Sequence, residues 1–386
     1  MELKSPVAGR DWQDLVAEFG SPLLVLDCNT LRQQYRKLQN ALPSVDLYFA
    51  IKALPNETVV NVLHKEGGNF DIATQGEVNL LEKNHISAKK TIHTHPIKSD
   101  IDIRSTLRFG CTTFVVDNEY ELEKFVRYKE RVGLLLRLSF PNPNAVVNLS
   151  KKFGLSVHNV QAFLAKADNL GIHIKGLSFH VGSQSKLQQS HVDAINKCLE
   201  IITESRTQRD VPMSVLDIGG GFPIDYDGTG IDIEEFCAPI NEVIENRPKN
   251  IRVIAEPGRF IAAPAMTCLT SVIGKAIRDG TPWYYLDDGV YNSFSGQIFD
   301  HAIYPKISVR KGHTQPSVLA GPTCDSIDVI SENIELPQLE IGDLIIAPMM
   351  GAYTSATATE FNSLPRTHII AVNVKESQDN QITQLV

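Results

Sequence analysis

Tyr48-Phe49-Ala50-Ile51-Lys52-Ala53-Leu54-Pro55 is an apolar run that predicts a buried strand with one lysine, Lys52, inside it. A lysine in such a place is costly unless its charge is paired or removed. A Schiff base to an aldehyde removes the need for a free ammonium group, so Lys52 is a candidate covalent anchor. On this stretch alone, the alternative is a lysine at the strand end that reaches solvent.

Around this run, predicted strands and helices alternate with a regular rhythm. Amphipathic segments of helical spacing, such as residues 57–66, 119–129 and 233–246, separate the strand-like runs. Eight such units over roughly 230 residues fit one barrel of parallel strands better than an open sheet. We therefore predict an α/β fold with a (β/α)8 TIM barrel over residues 27–263. The predicted strands lie near residues 47–53, 69–73, 91–95, 113–117, 133–139, 174–181, 214–219 and 252–256.

The pattern changes after Arg259, and the chain is β-rich from Pro264 onward. The β-rich runs that follow are separated by Gly, Pro and Asp, and no regular alternation with helices remains. We predict a second, all-β domain, a barrel or a sandwich, formed by residues 264–386 together with residues 1–26, which add a strand. The predicted strands lie near residues 267–273, 283–286, 315–320, 343–347 and 368–374.

The composition excludes several classes of protein. The 386 residues carry a net charge of −8 and no basic block, which argues against non-specific nucleic-acid binding. The N-terminus has no apolar signal-peptide segment, and no run approaches the ~20 apolar residues that span a bilayer. The six cysteines are scattered without a C-x-x-C pair, which favours a reducing cytoplasm over a disulfide framework or a zinc site.

Polar residues collect at the ends of the predicted barrel strands. The catalytic face of such a barrel lies at the carboxyl ends of its strands, so these residues are candidates for a site. They are Lys52, Asp71 with Glu77 in the following turn, Arg137, His180 with Ser183, Gly219, Gly220, Gly221, Glu256, Gly258 and Arg259.

Two glycine turns follow the last two barrel strands, at the position where barrels often bind a phosphate. Gly219-Gly220-Gly221 lets backbone N–H groups approach an anion, and Gly258-Arg259 can add further donors. The alternative interpretation of the triple glycine, taken alone, is an ordinary tight turn. The motif does not match a dinucleotide-binding fingerprint. Beside a buried lysine and a strand-end carboxylate, the phosphate interpretation is favoured.

Glu256 and His180 suit a flat heteroaromatic ring. A carboxylate at a ring nitrogen keeps a pyridinium protonated, which makes the ring a strong electron sink. The alternatives are a salt bridge from Glu256 to Arg259 and a simple core position for His180. His93 and His95 lie along one predicted strand, but no third ligand is apparent, so we expect no metal.

Two loops of the predicted β domain carry further candidates. Residues 287–301 form a polar, turn-rich stretch of the kind that carries function more often than structure. Gly321-Pro-Thr-Cys324-Asp325-Ser-Ile-Asp328 places a thiol beside carboxylates in a tight loop. The alternative for this thiol is a small buried filler.

Together these residues resemble the fold-type III, pyridoxal-phosphate-dependent basic amino acid decarboxylases of the ornithine decarboxylase group. The resemblance covers nearly the whole chain, and it implies the same barrel and β domain. Its motifs, in chain order, are Tyr48-Phe-Ala-Ile-Lys52, Phe70-Asp-Ile-Ala-Thr-Gln-Gly-Glu77, Lys98-Ser-Asp100, Lys152-Phe-Gly154, His180-Val-Gly-Ser-Gln184, Asp217-Ile-Gly-Gly-Gly-Phe-Pro223, Glu256-Pro-Gly-Arg259, Asp287-Asp-Gly-Val-Tyr291, Gly321-Pro-Thr-Cys-Asp-Ser326 and Gly351-Ala-Tyr-Thr354.

The resemblance implies a cofactor role for most of the candidates. Lys52 would hold pyridoxal 5′-phosphate covalently, Glu256 would pair with its pyridine nitrogen, and His180 would stack on its ring. The phosphate would be bound by Ser183, Gly219, Gly220, Gly221, Gly258, Arg259 and Tyr353. A supporting polar shell would consist of Asp71, Glu77 and Arg137.

The resemblance also implies a diamino acid substrate and shared active sites. Cys324 would deliver a proton to the substrate Cα after carbon dioxide leaves, and Asp300 and Asp325 would bind the distal ammonium group. In this family the Cys-Asp loop reaches into the active site of the partner subunit. The implied unit is therefore a head-to-tail homodimer, with the substrate and dimer-interface loops on the C-terminal domain.

Substrate choice depends on small differences. Phe299 stands where many eukaryotic ornithine enzymes have a tyrosine, and the lost hydroxyl leaves room for a longer substrate. We favour ornithine, with putrescine as a product for polyamine synthesis, and then lysine, with cadaverine as product; one methylene is worth only about 1–3 kcal/mol. Alternatives are a decarboxylase of diaminopimelate or another amino acid on this fold and, more distantly, a non-catalytic regulatory homologue.

Overall fold

Eight parallel strands form a closed barrel in the computed structural model of the chain. The structure describes residues 4–140, 151–206, 209, 211–226, 228, 230–375 and 383–385. Strand β1, Leu23–Asp27, belongs to a second unit and precedes the barrel strands, which are β2 Val45–Ala50, β3 Asn69–Ile72, β4 Thr91–His93, β5 Thr113–Val116, β6 Gly133–Leu138, β7 Ile174–Phe179, β8 Val215–Asp217 and β9 Arg252–Ala255. Pairing of β2 with β9 closes the barrel, so the predicted fold class is confirmed.

Apolar side chains fill the barrel and explain why these short runs become strands. One cluster takes one residue from each of six strands: Tyr48, Ile92, Val115, Leu135, Val215 and Ile254. Because successive strand residues face opposite sides, their neighbours are buried against the surrounding helices. The helices along the chain are α1 Trp12–Phe19, α2 Cys28–Ala41, α3 Glu57–Lys65, α4 Gln75–Lys83, α5 Asp100–Phe109, α6 Glu119–Lys124, α7 Val160–Leu170, α8 Gln189–Ser205, α9 Ile233–Glu245, α10 Arg259–Ala262 and α11 Gly296–Phe299.

The second unit is built on one mixed sheet. Its strands are β1, β10 Met266–Arg278, β11 Thr281–Leu286, β12 Ile307–Ser308, β13 Thr314–Ala320, β14 Val329–Pro337, β15 Leu344–Ala347, β16 His368–Val372 and β17 Thr383–Leu385. The sheet order is β14-β13-β11-β10-β1-β16-β17, with β15 joining β10 to β12. β1 pairs with β16 in parallel and with β10 in antiparallel orientation, as expected of a strand added from the N-terminus.

The structure adds two helices, α1 and α11, to this β-rich unit. Helix α1 begins at a capping box in which Asp11 and Asp14 bond each other's backbone N–H groups. Its residues Trp12 and Leu15 are buried in the core cluster that also contains strand residues such as Val25. Burial of this apolar face fixes the N-terminal segment against the sheet.

By its internal contacts, the chain divides into two compact units. One comprises Tyr35–Asp225 and Gly230–Phe260, and the other comprises Met1–Gln34, Tyr226–Thr229 and Ile261–Val386. Within the described residues, no helix has both the length and the apolar character needed to cross a membrane.

Candidate active site

Lys52 lies just beyond the end of β2, in a single 3-10 turn, Ile51–Ala53. The strand ends at Ala50, so the prediction that Lys52 lies inside the strand is wrong. Its flanking residues are buried, but its own side chain is 45% exposed, because the turn has left the strand pairing. The ammonium group therefore avoids the desolvation that a strand interior would impose, and it lies at the catalytic end of the barrel.

Asp71 on β3 pairs with this lysine. Its Oδ2 lies 3.1 Å from Lys52 Nζ, and its Oδ1 accepts a hydrogen bond from the Thr94 hydroxyl at 2.5 Å. The Asp71 side chain is only 1% exposed, and a buried carboxylate needs hydrogen-bond partners. Here each of its two oxygens has one. This ion pair joins the turn after β2 to strand β3.

Glu77 lies in the first turn of α4, next to the end of β3. Its Oε2 accepts the N–H of Ala73 at 2.5 Å. Burial raises the pKa of Glu77 to about 7, and the negative charge of Asp71 adds to this effect. A carboxyl with this pKa can hold or release a proton near neutral pH, which is typical of functional sites.

His180 follows the end of β7 and presents a neutral ring. Its Nδ1 accepts the N–H of Gly182 at 3.0 Å, so the ring proton is on Nε2. Burial, followed by the positive charge of Arg137, lowers the pKa of His180 well below its usual range. Arg137, on β6, packs its guanidinium 5.4 Å from the ring centre of Phe153.

The triple-glycine turn has no room for side chains. Gly219 and Gly221 have φ angles of +66° and +97°, and a Cβ on them would lie 2.2 Å from the Phe179 carbonyl and 2.4 Å from the Gly182 carbonyl. Among the residues that the structure describes, the N–H groups of Gly220 and Gly221 donate to no protein acceptor. The turn therefore offers free donors that can bind an anion.

Arg259 lies beside the loop that carries Ser183. Its Nε and one terminal nitrogen donate to the Ser183 hydroxyl at 3.2 Å and 3.1 Å, and the residue is buried. Gly258 lies in the buried turn between β9 and α10. A buried guanidinium next to a hydroxyl provides charge-assisted donors suited to a phosphate.

Glu256, after β9, is buried next to Asp217, the last residue of β8. Burial and the Asp217 carboxylate raise the pKa of Glu256 well above its usual range, and burial raises the pKa of Asp217 to about 6. Asp217 Oδ1 accepts the N–H of Gly219 at 2.9 Å. The backbone N–H of Glu256 donates to the Gly219 carbonyl at 2.8 Å and so links this pair to the glycine turn.

In the second unit, Asp325 is held by an aromatic pair. The hydroxyl of Tyr291 donates to Asp325 Oδ2 at 2.5 Å, and the Tyr291 ring stacks on Phe361 with centres 4.3 Å apart. The N–H of Ile327 donates to the other carboxylate oxygen at 3.1 Å. The Tyr291 hydrogen bond lowers the pKa of Asp325, so this half-buried carboxylate remains anionic.

Cys324 precedes Asp325 and is an exposed free thiol. Its Sγ lies 3.4 Å from both Oδ1 and Nδ2 of Asn362, whose Oδ1 also accepts the Cys324 N–H at 3.2 Å. The thiol is therefore not the buried filler of the alternative interpretation, and a single amide side chain orients it.

The remaining candidates of the second unit lie in or next to turns. Phe299 ends α11 and is 61% exposed, and the N–H of Asp300 donates to the Gly296 carbonyl at 3.0 Å. Tyr353 has a φ of +55°, and its carbonyl accepts a hydrogen bond from the Thr357 hydroxyl at 3.0 Å. The part that these residues take in a site with the barrel stays a prediction.

His93 and His95 have different surroundings. His93, the last residue of β4, is fully buried with its ring centre 5.6 Å from that of Phe114, and burial lowers its pKa to about 3. His95 lies in the following turn, where its Nδ1 accepts the N–H of Ile97 at 3.0 Å. Within the described parts of the chain, no three His, Cys, Asp or Glu side chains are grouped as metal ligands.

Residues 28–263 match the family described as pyridoxal-dependent decarboxylase, pyridoxal binding domain. The chain belongs to the pyridoxal-dependent decarboxylases. The match covers the barrel and more than half of the chain.

Individual proteins are similar to this chain over most of its length, beyond the barrel. Structures of lysine/ornithine decarboxylase from Vibrio vulnificus, complexed with cadaverine or with putrescine, are 52% identical with a TM-score of 0.90, covering 94% of this chain and 97% of theirs. Lysine/ornithine decarboxylase of Selenomonas ruminantium is 32% identical over 92% of this chain and 90% of its own length. Antizyme inhibitor 2 of Xenopus laevis is also 32% identical, over 89% of this chain and 79% of its own length.

The cofactor of this decarboxylase is pyridoxal 5′-phosphate, and the barrel residues fit it. The free N–H groups of Gly220 and Gly221 and the buried Arg259 suit a phosphate. Lys52 lies at the same end of the barrel with an accessible amine. The chemistry of the donor set therefore agrees with an aldehyde cofactor that carries a phosphate.

Two residues of the candidate site had no predicted role. Asp217 lies within the predicted strand 214–219 and ends the observed strand β8, and a carboxylate at a barrel strand end is a signal that could have found it. Asn362 lies 38 residues from Cys324 along the chain, and no local pattern connects them.

Proposed function

We propose that this chain decarboxylates L-ornithine to putrescine and carbon dioxide, with L-lysine, which gives cadaverine, as a second substrate. The observation that carries the proposal is the half-buried, anionic Asp325 beside the exposed, oriented Cys324 thiol. Similar structures complexed with putrescine and cadaverine support a diamine product. The six free cysteines support a reducing, cytoplasmic setting for this step of polyamine synthesis.

Loss of carbon dioxide leaves negative charge at the substrate Cα. Bound pyridoxal 5′-phosphate supplies an electron sink for this charge. Lys52 would hold the cofactor's aldehyde carbon, and the buried Glu256 carboxyl would pair with the pyridine nitrogen. The neutral ring of His180 would cover one face of the cofactor and exclude water there.

The phosphate would be bound by one group of barrel residues, and a polar shell would support it. Backbone N–H groups of the glycine turn and the Arg259 guanidinium provide the charge and the donors. We assign the phosphate to Ser183, Gly219, Gly220, Gly221, Gly258 and Arg259, with Tyr353 from the second unit. We assign the supporting shell to Asp71, Glu77 and Arg137.

Carboxylates would select a substrate with a distal ammonium group. Asp325 is fixed by Tyr291 and remains charged, and Asp300 lies next to Phe299 in the same unit. A charge-assisted hydrogen bond of this kind contributes about 1.5–3 kcal/mol. A neutral side chain would leave the carboxylates unpaired, so diamino acids are favoured over neutral ones.

Cys324 would return a proton to the substrate Cα after carbon dioxide leaves. Its thiol is exposed, and its orientation is set by the Asn362 amide. A thiol is an adequate proton donor for a carbon that carries delocalised negative charge.

We further propose that the active unit is a homodimer whose two sites each use residues of both subunits. Exposed apolar side chains of the second unit support this, because they lie in the chain segments that carry the substrate residues. They are Ile298, Phe299, Ile303, Ile327 and Phe361. A partner subunit that covers them would bring Cys324 and Asp325 to its own barrel.

A second candidate function is regulatory binding without catalysis. The similarity of this chain to antizyme inhibitor 2 favours this second candidate. Lys52, His180, Glu256, Arg259 and Cys324 are all present in this chain, which argues for catalysis. A regulatory homologue would have neither the visible absorbance of bound pyridoxal 5′-phosphate nor turnover.

One assay tests the proposal. Carbon dioxide release is measured from ornithine, lysine, arginine and meso-diaminopimelate with added pyridoxal 5′-phosphate, with Lys52→Ala as the control. We expect the highest kcat/KM for ornithine, a lower value for lysine, and no turnover or cofactor absorbance in Lys52→Ala. Release from diaminopimelate alone, or release from none of the four, would contradict the proposal.

A further inference from the structure

His191, on α8, is fully buried next to the glycine turn. Its Nε2 lies 3.1 Å from the carbonyl oxygen of Gly220. A carbonyl can only accept, so Nε2 carries the proton and donates it. Burial lowers the pKa of His191 to about 4, so the ring stays neutral at physiological pH.

Aromatic neighbours fix the orientation of this ring. Phe222 stacks on it with centres 5.3 Å apart and an interplanar angle of 20°. Phe236 meets it edge-on at 5.9 Å, and Phe179 lies 6.5 Å away. The imidazole therefore has little freedom to rotate, and its donor points at the Gly220 carbonyl.

Fixing this carbonyl fixes the N–H on the other side of the same peptide. The Gly220–Gly221 peptide is planar and trans, so the N–H of Gly221 points opposite to the Gly220 carbonyl, away from His191. Within the described part of the chain, that N–H donates to no protein acceptor. Glycine is otherwise the most freely rotating residue, so a peptide between two glycines needs an external hold.

We propose that His191 is a positioning residue for the cofactor phosphate: it holds the Gly220–Gly221 peptide so that the Gly221 N–H faces the phosphate. The inference rests on the phosphate role proposed above for the glycine turn. Phenylalanine would fit the same aromatic surroundings, but it would leave the Gly220 carbonyl without its donor. The hydrogen bond, rather than the ring, is therefore the functional feature.

The test compares cofactors with and without the phosphate. The full-length holoenzyme is stripped of cofactor, and the wild type, His191→Phe and His191→Gln are titrated with pyridoxal 5′-phosphate and with pyridoxal, followed by visible absorbance. Loss of one hydrogen bond should weaken binding of pyridoxal 5′-phosphate to His191→Phe about tenfold and leave pyridoxal binding unchanged. Glutamine places an amide N–H near the position of Nε2, so His191→Gln should recover most of the affinity.

Each outcome separates the two proposals. Equal affinity of the wild type and His191→Phe for pyridoxal 5′-phosphate, or equal losses for both ligands, would overturn the role of His191. If the wild type itself bound pyridoxal and pyridoxal 5′-phosphate equally well, the phosphate role of the turn would fail instead. Should His191→Phe not fold, the donorless His191→Leu is compared with His191→Gln in the same way.

Discussion

At the scale of single residues, the proposed proton donor depends on one amide. Asn362 has a φ of +57°, a left-handed conformation that asparagine adopts more easily than most residues. In this conformation its side chain contacts both the backbone N–H and the Sγ of Cys324. The left-handed Asn362 therefore orients the Cys324 thiol.

We predict that Asn362→Gly misdirects the proton more often than the wild type does. Glycine keeps the left-handed backbone but removes both contacts with the thiol. By-products from misplaced protonation should increase about three- to tenfold, the effect of one lost hydrogen bond, while the KM for ornithine stays nearly constant. Amine and aldehyde products are quantified by chromatography, with Cys324→Ala as the reference for complete loss.

The control for this prediction is Asn333→Gly, which changes an asparagine of the same unit on β14, away from the thiol. It should leave the product ratio at the wild-type value. An unchanged ratio in Asn362→Gly would show that the thiol is oriented without the amide.

At the scale of elements, the sequence predicts the barrel strands well because their apolar runs are short, buried and evenly spaced. The end of β2 is different, because Ile51 and Ala53 are as apolar as the strand before them. The Ala50 N–H donates to the Pro257 carbonyl at the last strand residue, and the Leu54 N–H then donates to the Ile51 carbonyl to close the turn. Neither bond follows from the apolar pattern, so periodicity cannot reveal where the strand stops.

The residues of the candidate site also fall into a group that the sequence predicts and a group that it does not. Residue types at strand ends, such as Asp71 and Glu256, follow from the alternating pattern and barrel geometry. Side-chain pairs between distant segments do not, and this is why Asn362 and the contact of Tyr291 with Asp325 were not predicted. Helix α1 had a local signal, the capping box of Asp11 and Asp14, but an apolar pattern over only eight residues is weak alone.

Strand β4 carries an acid-sensitive residue. His93 is buried, and burial and then the charge of Lys98 lower its pKa from 6.5 to about 3. Below pH 6.5 the unfolded chain binds a proton that the folded chain excludes. The contribution of neutral His93 to the free energy of unfolding is therefore fully present above pH 6.5 and is lost as the pH falls towards 3.

We predict that His93→Phe gains stability relative to the wild type on acidification. Phenylalanine cannot titrate, so the difference in unfolding free energy should shift in its favour by about 2 kcal/mol between pH 7.5 and pH 5. Any packing cost of the larger ring is independent of pH and cancels in this comparison. Denaturant unfolding at both pH values provides the measurement, and His158→Phe, at an exposed position, should show no such shift. A shift of the same size in both variants would assign it to other groups.

At the scale of the whole molecule, the chemistry is divided between two compact units. The barrel unit contains all of the residues proposed for the cofactor except Tyr353, and the second unit contains Tyr353, Cys324 and Asp325. A closed C2 dimer places equivalent surfaces in two symmetric sites, so each site can take its barrel from one subunit and its Cys-Asp loop from the other. This division can be tested without a structure of the dimer.

We predict that two inactive variants restore activity when they are mixed. Lys52→Ala and Cys324→Ala are each unable to form putrescine efficiently, for different reasons. In a mixed dimer with shared sites, one site carries both defects and the other carries neither. Complete subunit exchange should therefore restore about a quarter of the wild-type rate of putrescine formation, because half of the dimers are mixed and each has one intact site.

The control pair is Lys52→Ala with Glu256→Ala, which changes two residues of the same barrel unit. Each site of that mixed dimer has one damaged barrel, so no activity should return. Recovery in the first pair and not in the second would mean that barrel and loop come from different subunits. If neither pair recovers although subunits exchange, each site is built from one chain, because a site that uses a single subunit inherits that subunit's defect.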